Sequence, residues 1–363
     1  VFLHPETGEE YALARTERKQ GRGYHGFSVA FDPHITIEQD LERRDLTINA
    51  MAMDADDELI DPFNGREDLD QGFLRHVSPA FREDPVRILR VARFAARFAR
   101  FGFRVAHGTN ALMRQMVESG EVDYLVPERV WKETSRALSE PSPERFFEVL
   151  RGCAALDRLF PEIACLFGVP QPHRFHPEID TGVHTMLVLQ QAARLSPLPE
   201  VRFAALVHDL GKGQTPHAMW PRHHGHEETG VELVLQLCKR LKVPNSYRDL
   251  AVQVARYHGH FRRVSTELSA STIVRTLEAL DAFRRPDRFE HYLLACEADI
   301  RGRAGKEKDP VPQTGHFQRC LEAANAISVQ HIRDAGYEGK AIGEELHRRR
   351  VNAVKQLLGE IRP

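Results

Sequence analysis

Three stretches decide the reading: Arg43–Ala50 (RRDLTINA), Asp61–Gly65 (DPFNG) and Glu83–Phe94 (EDPVRILRVARF). In the first, a charged helix end runs into an apolar strand and leaves Arg43, Arg44 and Asp45 at the strand's top. A planar guanidinium contacts phosphate in bidentate fashion, so Arg44 suits a triphosphate. Asp45 and Asn49, four residues on, suit ribose hydroxyls. A solvated helix terminus uses the same residue types. The third stretch is more constrained. At 100° per residue Arg90, Arg93, Arg97, Arg100 and Arg104 fall within an arc of about 80°, beside an apolar face of Val91, Phe94, Phe98 and Phe101. The stripe has no interleaved acid and no i,i+4 Glu partner, so it repels itself unless an anion joins it. Asp84 and Arg87 stand three residues apart near the start of this helix, off the stripe. They read either as an intrahelical ion pair or as an acceptor and donors offered to a base edge, choosing cytosine or adenine by hydrogen-bond pattern.

Around these stretches two textures divide the 363 residues. Residues 1–75 carry period-2 signals in EEYALA, GYHGFSVAFD and LTINAMAMD-ADDE-LIDPFNG, the last a hairpin with Asp54–Glu58 at its turn. After Phe73 helical periodicity takes over. Helices are predicted over Glu83–Arg104, Pro127–Leu138, Glu144–Cys153, Leu198–Leu210 and Glu227–Leu241, many opened by Pro or an acid. Loops at 167–182 and 302–315 punctuate the helical part. The layout is a small mixed sheet, a helical middle and a His-rich helical part, and the length suits two or three domains.

Composition narrows the class. Hydrophobic residues at 42% and charged residues at 28% describe a globular chain able to bury cores. No apolar run approaches the roughly 18 residues of a membrane-spanning helix. A net charge of -2 excludes a histone-like basic protein, but 50 Lys+Arg can still segregate into one nucleic-acid-facing stripe. The five cysteines are scattered without a CxxC pair, which reads as reduced thiols in a reducing, cytoplasmic setting. The chain opens VFLHPETGEEYALA, without Met or a signal-peptide pattern and already strand-like, so a preceding segment is expected.

A second constellation lies downstream. His184, His208-Asp209 and Asp299 each sit in a helical pattern (VHTMLVLQQ, VRFAALVHDLGKG, LLACEADIRG). Singly, each is a core residue with its polar group satisfied. Together they suit a borderline divalent metal such as Ni²⁺, Co²⁺, Mn²⁺ or Zn²⁺. Lys212 reads as a phosphate-positioning residue or as a lysine at a helix C-terminus. Trp131 reads as packing, Trp220 as part of a loop bordering the histidines, and the basic run GEELHRRRVNAVKQLL as a solvated face or an RNA backbone contact.

RRDLTINA, DPFNG and EDPVRILRVARF, with PERVWKE (127–133), LFPEI (159–163) and RHHGH (222–226), resemble the bacterial class II tRNA nucleotidyltransferases, the CCA-adding enzymes, in the form with a fused HD domain. The resemblance covers essentially the whole chain. It implies an α/β (α+β) nucleotidyltransferase head, truncated at its N-terminus, followed by all-α neck, body and HD domains, mostly α overall. The implied divisions are head 1–72, nucleotide-binding neck 73–125, tRNA-binding body 126–180, HD phosphohydrolase 181–302 and a C-terminal helical extension 303–363. It implies Arg44, Asp45 and Asn49 for triphosphate and sugar, Asp84 and Arg87 as the amino-acid template for the base, and Arg90 and Arg93 for the nucleotide. In the HD part it implies His184, His208, Asp209 and Asp299 as metal ligands, with His208 and Asp209 catalytic and His226 and His258 as further ligands of a second ion. Relatives tend to carry His-Asp where this chain has His258-Gly259, so a second ion stays open.

The implied activity is template-free addition and repair of the tRNA 3′-terminal CCA from CTP and ATP with Mg²⁺. The HD domain would hydrolyse 2′,3′-cyclic phosphates, 2′-nucleotides or other phosphoesters with Ni²⁺, Co²⁺ or Mn²⁺. Partners would be the tRNA acceptor stem and 3′ end, in a cytoplasmic monomer or homodimer with no membrane. The family's Gly-Gly-x-Val-Arg-Asp element and Mg²⁺-binding Asp-x-Asp pair do not occur in this sequence, and Asp54-Ala55-Asp56 lies in the predicted hairpin turn and is rejected for that role. Roughly the first fifty residues of the family pattern are therefore expected upstream. Alternatives are a poly(A) polymerase, an RNA-binding protein with an inactive polymerase head, and a stand-alone HD hydrolase.

Overall fold

The computed structural model describes residues 2–13, 15–19, 27–31 and 34–361, so the Gly23–Gly26 part of the GYHGFSVAFD strand lies outside the described residues. The chain divides into two compact units, Val1–Ala164 and Cys165–Pro363. Among the described residues no helix is long and apolar enough to cross a membrane.

In the first unit the strands pair two by two. β1 (Phe2–Leu3) pairs with β2 (Glu10–Tyr11), β3 (Arg15–Lys19) with β4 (Phe27–Phe31) and β5 (Ala52–Met53) with β6 (Leu59–Ile60), all antiparallel. Asp54–Glu58 close the β5–β6 hairpin as expected, with Asp54 Oδ1 accepting from the backbone N–H of Asp56 and Glu58. Helix α1 (Ile37–Glu42) opens with a capping box between Thr36 and Gln39. The segment after it is a correction. Thr47–Asn49 form a 3-10 turn, not a strand. Long-range contacts decide this: Thr47 N–H donates to Arg75 O, its hydroxyl donates to Asp68 at 2.7 Å, and Gly65 packs on its carbonyl. A Cβ at Gly65 would lie 2.3 Å from Thr47 O, so DPFNG needs glycine to start α2 (Gly65–Gln71) against this turn. β7 (Phe73–Leu74) then runs parallel to β8 (Arg104–Val105).

Helix α3 (Val86–Phe98) buries Ile88, Leu89, Val91, Ala92, Ala95 and Ala96. It is shorter than the predicted 83–104, with 3-10 turns at Pro79–Glu83 and Ala99–Phe101, and Arg104 belongs to β8. α4 (His107–Glu118), α5 (Pro127–Leu138), α6 (Glu144–Gly152), α7 (Ala155–Leu159) and α8 (Pro161–Ala164) complete the unit, with α3 packed against α5 and α6. α5 begins and ends where its Pro at N1 and its apolar period predict.

The second unit is helical. α10 (Pro199–Val207) has every residue from Val201 to Val207 buried, and it packs against α9 (Thr181–Leu195), α12 (Asn245–Arg263) and α14 (Pro286–Arg301). At about 1.5–3 kcal/mol per large buried side chain, Val201, Phe203, Leu206 and Val207 anchor the point where His208 emerges. α11 (His226–Leu241) packs on α12 and on the 3-10 turn Leu210–Gln214. The remainder is α13 (Ala270–Ala279), α15 (Pro312–Asn325), α16 (Val329–Asp334) and α17 (Lys340–Ile361). In the basic run of α17, Arg348 and Arg349 pair with Glu345 at 2.7 Å, and Arg350 lies 3.6 Å over the Phe283 ring.

Candidate functional sites

In the first unit an open cleft of about 1020 Å³ is lined by Arg43, Arg44, Asp45 and Asn49 from the turn after α1, by Asp84, Arg87, Arg90 and Phe94 from the α3 side, and by Arg129, Lys132, Glu133 and Arg136 from α5. The 3-10 turn fixes one wall. Asp45 Oδ1 accepts from Leu46 N–H and from Asn49 Nδ2 at 3.1 Å, and Asp45 Oδ2 accepts from Arg90 Nε at 2.7 Å. Arg44 donates to Asn49 O and remains nearly half exposed. Also lining the cleft, Asp84 receives a bidentate pair from Arg129, at 2.7 and 3.1 Å, and caps Val86 N–H. Arg87 donates to Ala80 O and Arg43 O.

Six of the seven residues predicted for the nucleotide thus meet in one cleft. Arg93 does not line it. Arg93 is buried and pairs with Glu133 at 2.7 Å, with Glu140 at 3.8 Å. Arg97 also pairs with Glu140, at 2.9 Å. The self-repelling stripe is therefore corrected: acids from α5 and the turn after it, and Asp45, neutralise most of it, and a helical wheel of α3 alone cannot show them. Sequence reasoning passed over Arg129, Lys132 and Arg136. Their spacing of three and four residues on PERVWKETSR was the available signal. Asp45, Asp84 and Glu133 are each paired with a guanidinium and Asp54 and Asp56 sit in a hairpin turn, so none of these fits a Mg²⁺-binding carboxylate pair.

The second unit gathers the predicted histidines and aspartates. His184 lies on α9, whose start is capped by Asp180; His208 and Asp209 end α10; His226 opens α11; His258 lies on α12 and Asp299 on α14. All but the partly exposed His226 are buried. His184 Nε2 lies 3.1 Å and His208 Nε2 3.7 Å from Asp299 Oδ1, and His208 Nε2 lies 3.1 Å from Asp209 Oδ2. Asp209 Oδ1 faces His226 Nε2 at 3.3 Å and His258 Nε2 at 3.4 Å. One glycine makes this possible. A Cβ at Gly211 would lie 2.0 Å from His226 O, so only glycine lets α11 begin against the turn that carries Asp209.

The donor set fits a divalent ion. His208, His226 and His258 each have Nδ1 on a backbone carbonyl, at 2.7 Å from Ala205 O, 2.7 Å from His223 O and 3.0 Å from Ala255 O. A carbonyl only accepts, so Nδ1 carries the hydrogen and each Nε2 presents a lone pair. The Nε2 atoms of His226 and His258 then face each other at 3.3 Å, an arrangement that a cation between the two lone pairs satisfies. His208 Nε2 and Asp209 Oδ1 are buried without a hydrogen-bond partner. Burial pushes His258 down to about 3, keeping it neutral.

Lys212 lies in the last turn of the 3-10 segment Leu210–Gln214 and is not exposed. It is buried with Nζ 2.5 Å from Asp209 Oδ2 and 2.6 Å from Gln171 Oε1. Sequence reasoning missed Glu178 and His176, which gather behind His184, and nothing local in HPEID marks them.

Comparison with known proteins places these features. A model of the poly(A) polymerase head domain matches residues 4–75, one of the probable RNA and SrmB-binding site of polymerase A matches 102–166, and one of the HD domain matches 181–285. A multifunctional CCA protein from Thioalkalivibrio sulfidiphilus is 64% identical over 360 residues, covering 99% of this chain and 88% of its own length. This chain belongs to the multifunctional CCA proteins. A second multifunctional CCA protein, from Nitrosococcus oceani, is 61% identical over 98% of this chain and 87% of its own length. Solved CCA-adding enzymes share the fold of this chain. An apo form aligns with a TM-score of 0.62 at 20% identity, covering 96% of this chain and 76% of that one. The Thermotoga maritima enzyme complexed with tRNA aligns at 0.59 and 21%, covering 90% and 74%. The fold is thus a nucleotidyltransferase head followed by helical parts, as the motifs implied. Asp299 lies beyond the HD-matched residues, and the packing of α14 against α9 and α10 brings it to the histidines.

Proposed function

We propose that this chain adds and repairs the 3′-terminal CCA of tRNA from CTP and ATP without a nucleic-acid template, and that its HD part hydrolyses phosphoesters, among them 2′,3′-cyclic phosphates and 2′-nucleotides. The observation that carries the first activity is the cleft. It gathers Arg44, Asp45 and Asn49 of RRDLTINA, Arg90 of α3, and a carboxylate and a guanidinium, Asp84 and Arg87, around one opening. Arg44 and Arg90 meet the phosphates, Asp45 and Asn49 the sugar, and Asp84 with Arg87 the base edge. Arg93 acts from behind, holding α3 to α5 through Glu133. Cytosine and adenine both present an amine donor beside a ring-nitrogen acceptor, which a carboxylate and a guanidinium complement.

In the second unit His184, His208, Asp209 and Asp299 would hold a transition metal, Ni²⁺, Co²⁺ or Mn²⁺, with His226 and His258 reaching the same Asp209 from the far side. A divalent ion held there supplies Lewis acidity toward a phosphoester and its attacking water. The backbone carbonyls fix the tautomers of His208, His226 and His258. We assign head 1–72, neck 73–125, body 126–180, HD domain 181–302 and extension 303–363. Mg²⁺ serves nucleotidyl transfer. The acceptor stem and 3′ end of tRNA dock by shape and phosphate, in a cytoplasmic monomer or homodimer.

The full protein with CTP, ATP, Mg²⁺ and tRNA lacking its 3′ end is expected to add C, C and A and stop. No extension by the folded enzyme overturns the assignment, and a long run of A assigns a poly(A) polymerase instead. His208→Ala is expected to abolish hydrolysis of 2′,3′-cyclic phosphates and leave nucleotide addition intact.

A further inference from the structure

Glu178 belongs to no motif, yet its side chain is 2% exposed and sits directly behind His184. Its Oε1 lies 2.9 Å from His184 Nδ1 and 3.1 Å from His176 Nδ1, and its Oε2 accepts from Ala304 N–H at 3.2 Å. The histidine contacts differ in quality. That from His176 is a hydrogen bond, whereas His184 Nδ1 makes no hydrogen bond to any group and has Glu178 Oε1 as its near neighbour. Two electron pairs 2.9 Å apart would repel, so the hydrogen of His184 lies on Nδ1, toward Glu178.

The other ring nitrogen shows what this decides. His184 Nε2 is 3.1 Å from Asp299 Oδ1. With the hydrogen on Nε2, His184 would donate to Asp299, lose its lone pair toward the centre and turn a second lone pair on the Glu178 carboxylate. With the hydrogen on Nδ1, Nε2 and Asp299 Oδ1 face the same point with electron pairs, as ligands of one cation do. A carboxylate behind a ligating imidazole selects that tautomer and raises its basicity.

The surroundings hold Glu178 there. Ile179 adopts φ 62°, a conformation that a β-branched residue rarely takes. Its carbonyl accepts from Gln171 N–H at 2.7 Å and its N–H donates to His176 O, while Asp180 caps α9, the helix of His184. Ala304 follows α14, the helix of Asp299. Glu178 therefore joins the segments that carry two ligands, and the strained backbone beside it is fixed from both sides.

We propose that Glu178, backed by His176, is a positioning residue that fixes the His184 tautomer and orientation for metal binding, an inference that rests on the metal-centre reading of this site. The test uses the full chain stripped with EDTA and titrated with Co²⁺ alone against a competing chelator. Glu178→Gln keeps the volume and removes the charge. It is expected to weaken Co²⁺ binding about 10–100-fold with unchanged stoichiometry and unchanged thermal midpoint of the EDTA-treated protein. Affinity within twofold of wild type in the folded variant overturns the proposal and leaves the metal centre standing. Loss of one whole equivalent, with the rest bound as before, overturns it by making Glu178 a ligand. No Co²⁺ bound by wild type overturns both readings together. Should Glu178→Gln not fold, long-range ¹H–¹⁵N correlation on wild type decides: the proposal expects His184 protonated at Nδ1, and protonation at Nε2 refutes it.

Discussion

Replacing Glu133 removes one charge from the pair that joins α5 to α3. Both side chains are 7% exposed and Arg93 Nε lies 2.7 Å from Glu133 Oε2. Removing one partner of a buried pair costs about 3–5 kcal/mol, because the other charge stays behind unpaired. Two features moderate this. Glu140 lies 3.8 Å from Arg93, though it also serves Arg97 at 2.9 Å, and in Glu133→Gln the amide oxygen still accepts from Nε. We therefore expect a loss of about 2 kcal/mol for Glu133→Gln and about 3–4 kcal/mol for Glu133→Ala. The smaller figure is about a 30-fold change in the folded-to-unfolded ratio. The two tryptophans make the assay specific: Trp131 lies in the first unit and Trp220 in the second. In a Trp220→Phe background, urea unfolding followed by Trp131 fluorescence reads the first unit, and a lower midpoint at constant slope measures the loss. Arg93→Met combined with Glu133→Leu is expected to recover most of it. A loss below about 0.5 kcal/mol in Glu133→Ala refutes the reasoning.

Four further outcomes follow from other contacts. Arg129→Ala releases the Asp84 carboxylate, so kcat/KM for CTP and ATP should fall about tenfold, with discrimination against UTP and GTP reduced; unchanged discrimination counts against the pairing. Gly211→Ala drives a Cβ against His226 O, and the Trp220-reported unfolding midpoint should fall along with Co²⁺ affinity, whereas a wild-type affinity contradicts the packing argument. Stripping the metal should lower the second unit's stability by about 2.7 kcal/mol relative to protein at 100 times Kd, measured by the same fluorescence. Glu345 is held at about 2 by hydrogen bonds from Arg348 and Arg349, so its charged form is favoured by folding. Its contribution is complete above the ordinary value of 4.5 and disappears as pH falls through about 2; Glu345→Gln should flatten acid unfolding in that window, and an unaltered profile argues against the contact.

What could be read from the sequence was local. Pro127 at a helix start and the apolar period to Leu138 give α5 to the residue, and the histidine-aspartate pattern gives His184, His208, Asp209 and Asp299, which the fold brings together. What escaped depends on distant partners. LTIN has strand-like texture, but Asp68, Arg75 and Gly65, far along the chain, bend it into a 3-10 turn. The arginine stripe looked unneutralised because Glu133 and Glu140 come from beyond its own helix. Arg129 and Glu178 were missed for the same reason: each acts, across a long sequence separation, on a residue to which a motif assigns a role.

The occupied state of the cleft also bears on fidelity. Asp84 already receives hydrogen bonds from Arg129 and Val86, and Arg87 already donates to Ala80 and Arg43. An entering base therefore competes with protein partners instead of with water. A base that offers both a donor and an acceptor in the right order replaces what it displaces. Uracil and guanine present the reverse order and would leave a carboxylate facing a carbonyl, so the empty enzyme's own contacts become the standard against which every nucleotide is measured.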